Sequence, residues 1–166
     1  MTDAAVRPAT LDDVPAIRTV ADRAWRAAYG DLLAAETIDA VLSEWYSPDA
    51  VRRGIERQDG WYFVGDGDEV VGYVSGGRAD DPGVATLAAI YVDPDRWRDG
   101  LGSALLERFE SRCVRAGCDR LRFRVLAEND RARAFYRSRG YDPVEEVETD
   151  LFGETVTEAV FSGALD

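Results

Sequence analysis

Two glycines, Gly100 and Gly102, stand where a strand-like segment gives way to a helix-like one. Residues 89–94 read Ala-Ile-Tyr-Val-Asp-Pro, and residues 100–106 read Gly-Leu-Gly-Ser-Ala-Leu-Leu. Glycine lets the backbone approach a ligand closely, and the first amides of a helix, with its dipole, favour a negative group. The segment therefore predicts an anion site whose natural occupant is a phosphate or a pyrophosphate.

The glycine pair does not match the common nucleotide-binding motifs. It lacks the third glycine of the dinucleotide fingerprint and the Gly-Lys-Ser/Thr of the P-loop. By itself, Gly-x-Gly is better explained as the plain turn that begins a helix.

The absence of histidine limits the chemistry that this chain can perform. Ser-His-Asp and Cys-His hydrolases are excluded in their usual forms, as are imidazole general bases and most catalytic zinc sites. With Cys113 and Cys118 the only cysteines, no metal site is expected, and both thiols are expected to be reduced and buried. Any enzyme here must use tyrosine, carboxylates, water and backbone amides.

A second block, residues 129–141, supports a specific family. It reads Asn-Asp-Arg-Ala-Arg-Ala-Phe-Tyr-Arg-Ser-Arg-Gly-Tyr. Together with Ile90-Tyr91-Val92-x-Pro94 and the glycine segment, it resembles the GNAT N-acetyltransferase superfamily, whose signature here is Asn-x-x-Ala-x-x-Phe-Tyr-x-x-x-Gly-aromatic. The start Val6-Arg7-Pro8-Ala9, followed by an Asp-rich turn and a helix, is similar as well, so the resemblance covers nearly the whole chain.

The resemblance implies acetyl-CoA as the cofactor, with its pyrophosphate on the glycine loop. Two parallel strands, Ala85–Val92 and Leu121–Val125, would splay apart and hold the pantetheine arm between them. Backbone groups near residues 90–92 would bind the arm and the thioester carbonyl. The expected cofactor-binding residues are Ile90, Tyr91, Val92, Trp97, Arg98, Gly100, Gly102, Ser103 and Asn129.

Three of these positions carry a second interpretation or a departure. Asn129 can also cap a helix, and Ser103 can simply be a helix-start residue. Trp97 stands where the family often has Gln or Arg. Because backbone amides hold most of the pyrophosphate and Arg96 and Arg98 flank Trp97, the substitution is expected to alter affinity without abolishing binding.

By resemblance, Tyr136 is the general acid that protonates the departing thiolate. Free tyrosine and thiol pKa values differ by about two units, which permits the transfer. The structural alternative is a half-buried tyrosine that packs beside Phe135.

The acceptor is expected to be a primary amine, of a small molecule or a protein N-terminus, that attacks directly. Its pocket is predicted between the first helices and the last hairpin, with Trp25 and Tyr29, an i, i+4 pair, as candidates of which one lines the pocket and the other packs inward. Trp45 and Tyr46 offer further aromatic surface. No general base is assigned to deprotonate the amine. The candidate carboxylates near strand ends are equally consistent with ordinary solvated surface, and a chain of water molecules that carries the proton to solvent is an equal alternative. Those candidates are Asp80, Asp81, Asp93 and Glu128.

Two other functions remain open from the sequence. One is a non-catalytic acyl-CoA-binding or sensing module of the same fold. The other is an interaction protein that forms a homodimer, for example through the last hairpin.

The elements that must position these residues follow from periodicity and breakers. The order predicts a single α/β domain over residues 1–166, with a mixed, mostly antiparallel sheet, two splayed central parallel strands and helices on both faces. Predicted strands are Ala5–Pro8, Trp61–Val64, Val70–Val74, Ala85–Val92, Leu121–Val125, Val144–Leu151 and Thr155–Phe161. Predicted helices are about 14–28, 36–46, 48–57, 101–116 and 129–139.

Charge and composition set the remaining expectations. The net charge is −12, and all 20 basic residues are Arg. Such acidity argues against nucleic-acid binding. Acidic, lysine-free surfaces are typical of proteins of salt-in halophiles, although a GC-rich genome also replaces Lys by Arg. No apolar stretch is long enough to span a bilayer, and the N-terminus lacks a basic segment followed by an apolar one. A cytoplasmic protein without membrane contact is therefore expected.

Overall fold

The computed structural model describes residues 5–57, 61–66, 69–97 and 99–166. The helices are α1 (Val14–Tyr29), α2 (Ala35–Trp45), α3 (Pro48–Glu56), α4 (Leu101–Arg115) and α5 (Asp130–Ser138). The strands are β1 (Ala5–Pro8), β2 (Tyr62–Asp66), β3 (Val70–Arg78), β4 (Val84–Val92), β5 (Arg120–Leu126), β6 (Asp142–Leu151) and β7 (Glu154–Ala164). Short 3-10 turns, Leu11–Asp13 and Pro94–Arg96, precede α1 and follow β4.

Within the described residues, the strands form one sheet in the order β1-β2-β3-β4-β5-β7-β6. Neighbouring strands are antiparallel except β4 and β5, which run parallel. This confirms the predicted mixed, mostly antiparallel sheet with two central parallel strands.

Helices cover both faces of the sheet, as predicted. The alternation of side chains along β2 separates two cores: Phe63 packs in the core beneath α4 and α5, whereas Tyr62 and Val64 pack in the core beneath α1, α2 and α3. Hydrophobic burial on both sides stabilises the sheet as a central layer, because each face removes its own apolar side chains from water.

The parallel pair β4 and β5 separates soon after it begins. The two strands are paired only from Val84–Arg120 to Thr86–Arg122 within the described residues, although β4 continues to Val92 and β5 to Leu126. The rest of β5 is held by β7 instead, through Leu126–Glu158. This separation confirms the predicted splay and leaves one edge of β4 available to a ligand.

A bulge in β4 changes which side chains face each core. Ser75 pairs with Ala89 but Gly76 pairs with Leu87, so Ala88 is the extra residue. Leu87 therefore points into the α4 core and Tyr91 into the α1 core, although both have odd numbers. Gly76 is required at this point, since a Cβ there would lie 2.2 Å from the Thr86 carbonyl oxygen.

The same contact explains the largest error in the predicted boundaries. We expected β3 to end at Val74, and two glycines, residues that weaken strand interiors, follow at positions 76 and 77. The strand continues to Arg78, since the close approach of β4 tolerates only glycine at position 76. Most other predicted boundaries differ from the observed ones by one or two residues, and β7 runs three residues further than expected.

The turn between β6 and β7 fixes α2 to the sheet. Glu154 Oε1 accepts hydrogen bonds from the Ala34 amide at 3.0 Å and the Thr37 hydroxyl at 2.7 Å. Ala34, the residue before α2, has no side chain that could cap the helix. Glu154, at the start of β7, supplies the missing hydrogen-bond acceptor instead. At the other end of α2, the Trp45 ring packs on Phe152, with centroids 5.5 Å apart.

In the described part of the chain, every helix is too short or too polar to cross a bilayer.

Candidate active site

A cavity of about 770 Å³ connects the two faces of the sheet where β4 and β5 separate. On one face it reaches the start of α4, at Gly100 and Gly102, and on the other it reaches Trp25 and Trp45. Between them it is lined by the strand ends, residues 87–92 of β4 and 123–126 of β5. The sheet thus has a passage through its centre, open to two chemically different ends.

The end beside α4 is built from backbone amides and glycine. Gly100 precedes the helix with φ +85°, a left-handed conformation that favours glycine. The first amides of α4, including those of Gly102 and Ser103, have no acceptor within the helix. Beyond the adjacent backbone, a Cβ at Gly100 would meet no atom of the described residues within 4 Å, and one at Gly102 would come only within 3.8 Å of the Phe135 ring. The loop therefore leaves room for a ligand at the positive end of the helix dipole.

Arginines and an indole surround this end of the cavity. Arg96, Trp97 and Arg131 line it, and the Arg131 guanidinium lies 3.8 Å from the centre of the Trp97 ring. The Trp97 Nε1–H donates to the Val92 carbonyl at 2.9 Å. Sequence reasoning missed Arg131, because only the tertiary structure places the α5 start beside the loop; a basic residue near Asn129 in the second motif was the available signal. Arg98, also expected here, lies outside the described residues.

Asn129 and Ser103 both line the cavity. Asn129 Oδ1 accepts from the Ala132 amide at 3.1 Å and so caps α5. The amide group of Asn129 also lies near the Tyr29 hydroxyl and, with Tyr91, partly offsets the effect of burial, which raises the pKa of Tyr29. The capping interpretation and a position in the cavity therefore hold together for Asn129.

Tyr136 lies between the two ends of the cavity. Its ring is buried against Phe123, with centroids 4.4 Å apart, and against Phe135 at 5.2 Å. The side chain also lines the cavity, so the packing and functional interpretations do not exclude each other. Burial raises the pKa of Tyr136, which keeps the hydroxyl protonated and able to donate.

Ile90, Tyr91 and Val92 line the passage from the β4 side. Ile90 and Val92 face the α4 core, whereas Tyr91 faces the α1 core. The Tyr91 hydroxyl lies 3.0 Å from that of Tyr29, and burial raises the pKa of Tyr91 well above its usual value. The β5-facing backbone of this segment pairs with no strand in the described residues beyond Thr86.

The other end of the cavity is aromatic. Trp25 and Tyr29 have ring centroids 4.6 Å apart, and both line the cavity. We expected one of them to pack inward, but both lie in the cavity wall. Trp45 also lines the wall, whereas Tyr46 is buried behind it and accepts a hydrogen bond from Tyr73 at 2.6 Å; burial raises the pKa of Tyr46 to about 12.

Sequence reasoning missed the carboxylate that faces this cavity. Among the described residues, Glu158 is the acidic residue that lines it. The sequence of β7 contained a sign of it. Val156, Glu158 and Val160 lie two residues apart and therefore share one face of the strand, which places a charged side chain in an otherwise apolar row.

The four carboxylates considered as bases lie elsewhere. Asp93 is paired with Arg23 at 3.0 Å; its pKa is lowered, because the Asp95 amide and Arg23 outweigh the opposing effect of burial. Asp81 pairs with Arg122 at 3.1 Å. Glu128 lines a separate small cavity of about 150 Å³, and Asp80 is exposed. In the described portion of the chain, no group of acidic or cysteine side chains is arranged to hold a metal ion.

Comparison with known proteins identifies the family. The sequence pattern of the Acetyltransferase (GNAT) family matches residues 15–141. An acetyltransferase of Sodalis glossinidius is 26% identical over 109 residues, which cover 64% of this chain and 75% of that protein. Because the family pattern spans most of the sequence, the chain belongs to the acetyltransferase (GNAT) family. The class of reaction of this family is acetyl transfer.

Two solved structures share the fold. The PaiA N-acetyltransferase of Thermoplasma acidophilum, solved in complex with coenzyme A, superposes with a TM-score of 0.83 at 19% identity, covering 96% of this chain and 98% of that one. YncA of Salmonella typhimurium, solved with its cofactor acetyl-CoA, gives a TM-score of 0.68 at 20% identity, covering 99% and 95%. These similarities confirm the expected fold class.

Proposed function

We propose that this chain is an acetyl-CoA-dependent N-acetyltransferase that transfers the acetyl group to a primary amine by direct attack. The observation that carries the proposal is the single passage between β4 and β5, with an anion site at one end and an aromatic wall with a carboxylate at the other. Such a passage brings two substrates to one point from opposite faces. It also separates them until they meet beside Tyr136.

The residues at the α4 end fit a diphosphate. The free amides after Gly100 supply donors, the helix dipole supplies positive potential, and the absence of a Cβ at positions 100 and 102 supplies space. Arg96 and Arg131 add charge-assisted donors at the rim. The exposed edge of β4 would hold an extended arm as a partner strand would, through backbone hydrogen bonds. Acetyl-CoA has this combination of a diphosphate and an extended amide-containing arm.

Acetyl-CoA, when bound, supplies an acetyl group activated as a thioester. The residues of the chain orient the two substrates and donate the proton that the reaction needs. Backbone groups near residues 90–92 would bind the acetyl oxygen and would stabilise the negative charge that develops on it. Tyr136 holds a proton at Oη for the departing sulfur, and its raised pKa keeps that proton in place until transfer. The apolar lining from Phe123 and Phe135 would limit the access of water to the thioester once acetyl-CoA fills the passage.

The proposal is tested by adding acetyl-CoA and a panel of primary amines to the purified chain and following free thiol, in low and in high salt. We expect amine-dependent thiol release. Tight binding of coenzyme A without release for any amine would identify a sensing module. No binding of coenzyme A at all would leave an interaction protein, and both results would overturn the proposed reaction.

A further inference from the structure

Glu158 is placed where an acceptor amine would arrive. It lies on β7 opposite Leu126, the last residue of β5, on the face of the sheet that α1 covers. Its side chain lines the aromatic end of the cavity and is partly buried. The Glu158 charge acts on Tyr29 and contributes to raising the pKa of that hydroxyl, which agrees with a carboxylate on the same wall.

The neighbours of Glu158 orient it but leave part of it open. Thr149 Oγ1 donates to Glu158 Oε1 at 2.9 Å. The Arg124 guanidinium lies 3.5 Å from the same oxygen, and it also donates to Thr149 Oγ1 at 3.4 Å. The hydrogen bond from Thr149 and the nearest approach of Arg124 both fall on Oε1, and among the described residues Oε2 accepts no hydrogen bond.

Pairing with Arg124 does not account for this placement. The Arg124 side chain is 56% exposed, and ion pairs that water reaches contribute little to stability. The hydroxyl of Thr149 orients the carboxylate through Oε1, and the Glu158 side chain lines the cavity.

Apart from Arg124 and the Tyr29 hydroxyl, which also line the cavity, the wall around Glu158 is aromatic and aliphatic. Trp25 and Leu33 from the α1 side, Trp45 from α2, and Leu126 and Leu151 from the strands line the same end of the cavity. Aromatic faces attract cations as well as apolar groups. A ligand for this end therefore combines one positive charge with an apolar body.

We propose that Glu158 is the acceptor-binding residue, and that it selects primary amines whose ammonium group meets its free carboxylate oxygen while an apolar body lies against Trp25 and Trp45. This inference rests on the proposed acetyl transfer, since it names the acceptor class for the same site. Charge and hydrogen bonding recognise the ammonium group, and burial against the aromatic wall recognises the apolar body of the amine. Arg124 already pairs with Glu158, so a carboxylate next to the ammonium would meet Glu158 with like charge and would have to compete for that arginine; such acceptors are disfavoured.

The test compares three acceptors with the acetyl-CoA-saturated protein: 2-phenylethylamine, ethylamine and phenylalanine. The variant is Glu158→Gln, which keeps the shape and the acceptor for Thr149. The matched control is Glu146→Gln, an exposed β6 residue beside Ala159 in the sheet, which removes the same charge away from the cavity. Binding of coenzyme A is measured for each protein.

We expect phenylethylamine to be the best of the three acceptors. For Glu158→Gln its KM should rise roughly tenfold to a hundredfold, the size of a lost charge-assisted hydrogen bond, with a smaller change in kcat and unchanged coenzyme A affinity. The control should match the unmodified chain. The KM effect should persist in high salt, because the carboxylate is partly buried.

Two results would overturn the inference while acetyl transfer stands: an unchanged KM for Glu158→Gln with an active enzyme, or phenylalanine as the better acceptor. Thiol release with none of the amines by the unmodified chain would overturn the proposed function itself, and this inference with it.

Discussion

The indole Nε1–H of Trp97 donates a hydrogen bond to the carbonyl oxygen of Val92 at 2.9 Å. This bond ties the loop before α4 to the end of β4, and the Arg131 guanidinium lies over the Trp97 ring. The family often has Gln or Arg at this position. In this chain the Trp97 ring stands there and packs against a neighbouring arginine, Arg131.

Replacing Trp97 by Phe should weaken coenzyme A binding by roughly threefold to tenfold, because one hydrogen bond of about 1 kcal/mol is lost while the stacking surface remains. The dissociation constant is measured by calorimetry. Trp61→Phe is the matched control, since Trp61 also carries a stacked arginine, Arg112, but does not line the cavity. Equal effects of the two substitutions would contradict the role of Trp97.

Gly100 and Gly117 stand at opposite ends of α4 in the same left-handed conformation, with φ +85° and +89°. In both places a Cβ would meet no atom within 4 Å among the described residues other than the chain neighbours. Changing either to Ala should therefore cost a similar amount of stability, about 1–2 kcal/mol. Only Gly100→Ala should weaken coenzyme A binding, since only Gly100 lines the cavity.

Urea unfolding and coenzyme A titration on both glycine variants separate the two effects. If Gly117→Ala weakened binding as much as Gly100→Ala, the loss would come from general destabilisation, and the anion site would be misplaced.

Tyr136→Phe should lower kcat by tenfold or more, in the range of general-acid contributions. Because burial raises the pKa of Tyr136, its hydroxyl stays protonated across the working range, so the ratio of the two kcat values should not vary between about pH 6 and about pH 9. Tyr62→Phe is the control, as Tyr62 is a buried tyrosine outside the cavity. An unaltered kcat would remove Tyr136 from the mechanism.

Glu154 should make stability depend on pH through its contact with α2. Hydrogen bonds from Thr37 and the Ala34 amide lower the pKa of Glu154 below its ordinary value of 4.5. A carboxyl whose folded pKa is depressed contributes stability that is complete above its unfolded pKa and is lost as the pH falls through the folded value. Below about pH 4.5, the cap is therefore expected to weaken.

Thermal unfolding of Glu154→Gln against pH tests this dependence. The variant should be less stable than the unmodified chain at neutral pH, and the difference should shrink as the pH falls below about 4.5. Glu145→Gln, an exposed change on β6, serves as the charge control. A difference that stayed constant with pH would show that the carboxylate charge does not cap α2.

Local signals in the sequence predicted most of the elements. The proline stop after β4, the glycines before α4 and the apolar spacing along α4 depend on neighbours within a few residues, so they can be read without the fold. The signature from Asn129 to Tyr141 located α5 and Tyr136 for the same reason. Together with the family resemblance, these features were sufficient for the fold class and for most of the residues at the α4 end of the cavity, although not for Arg131.

The sequence by itself determined the glycine loop, the order of strands and helices, and the residue types available for chemistry. Only the tertiary structure decided the other half of the site. The register of β7 against β5 turns Glu158 toward the cavity, the bulge at Ala88 turns Tyr91 toward Tyr29, and the start of α5 brings Arg131 to Trp97. These relationships join residues far apart in the chain, and a shift of one residue in strand pairing would reverse the face on which each side chain lies.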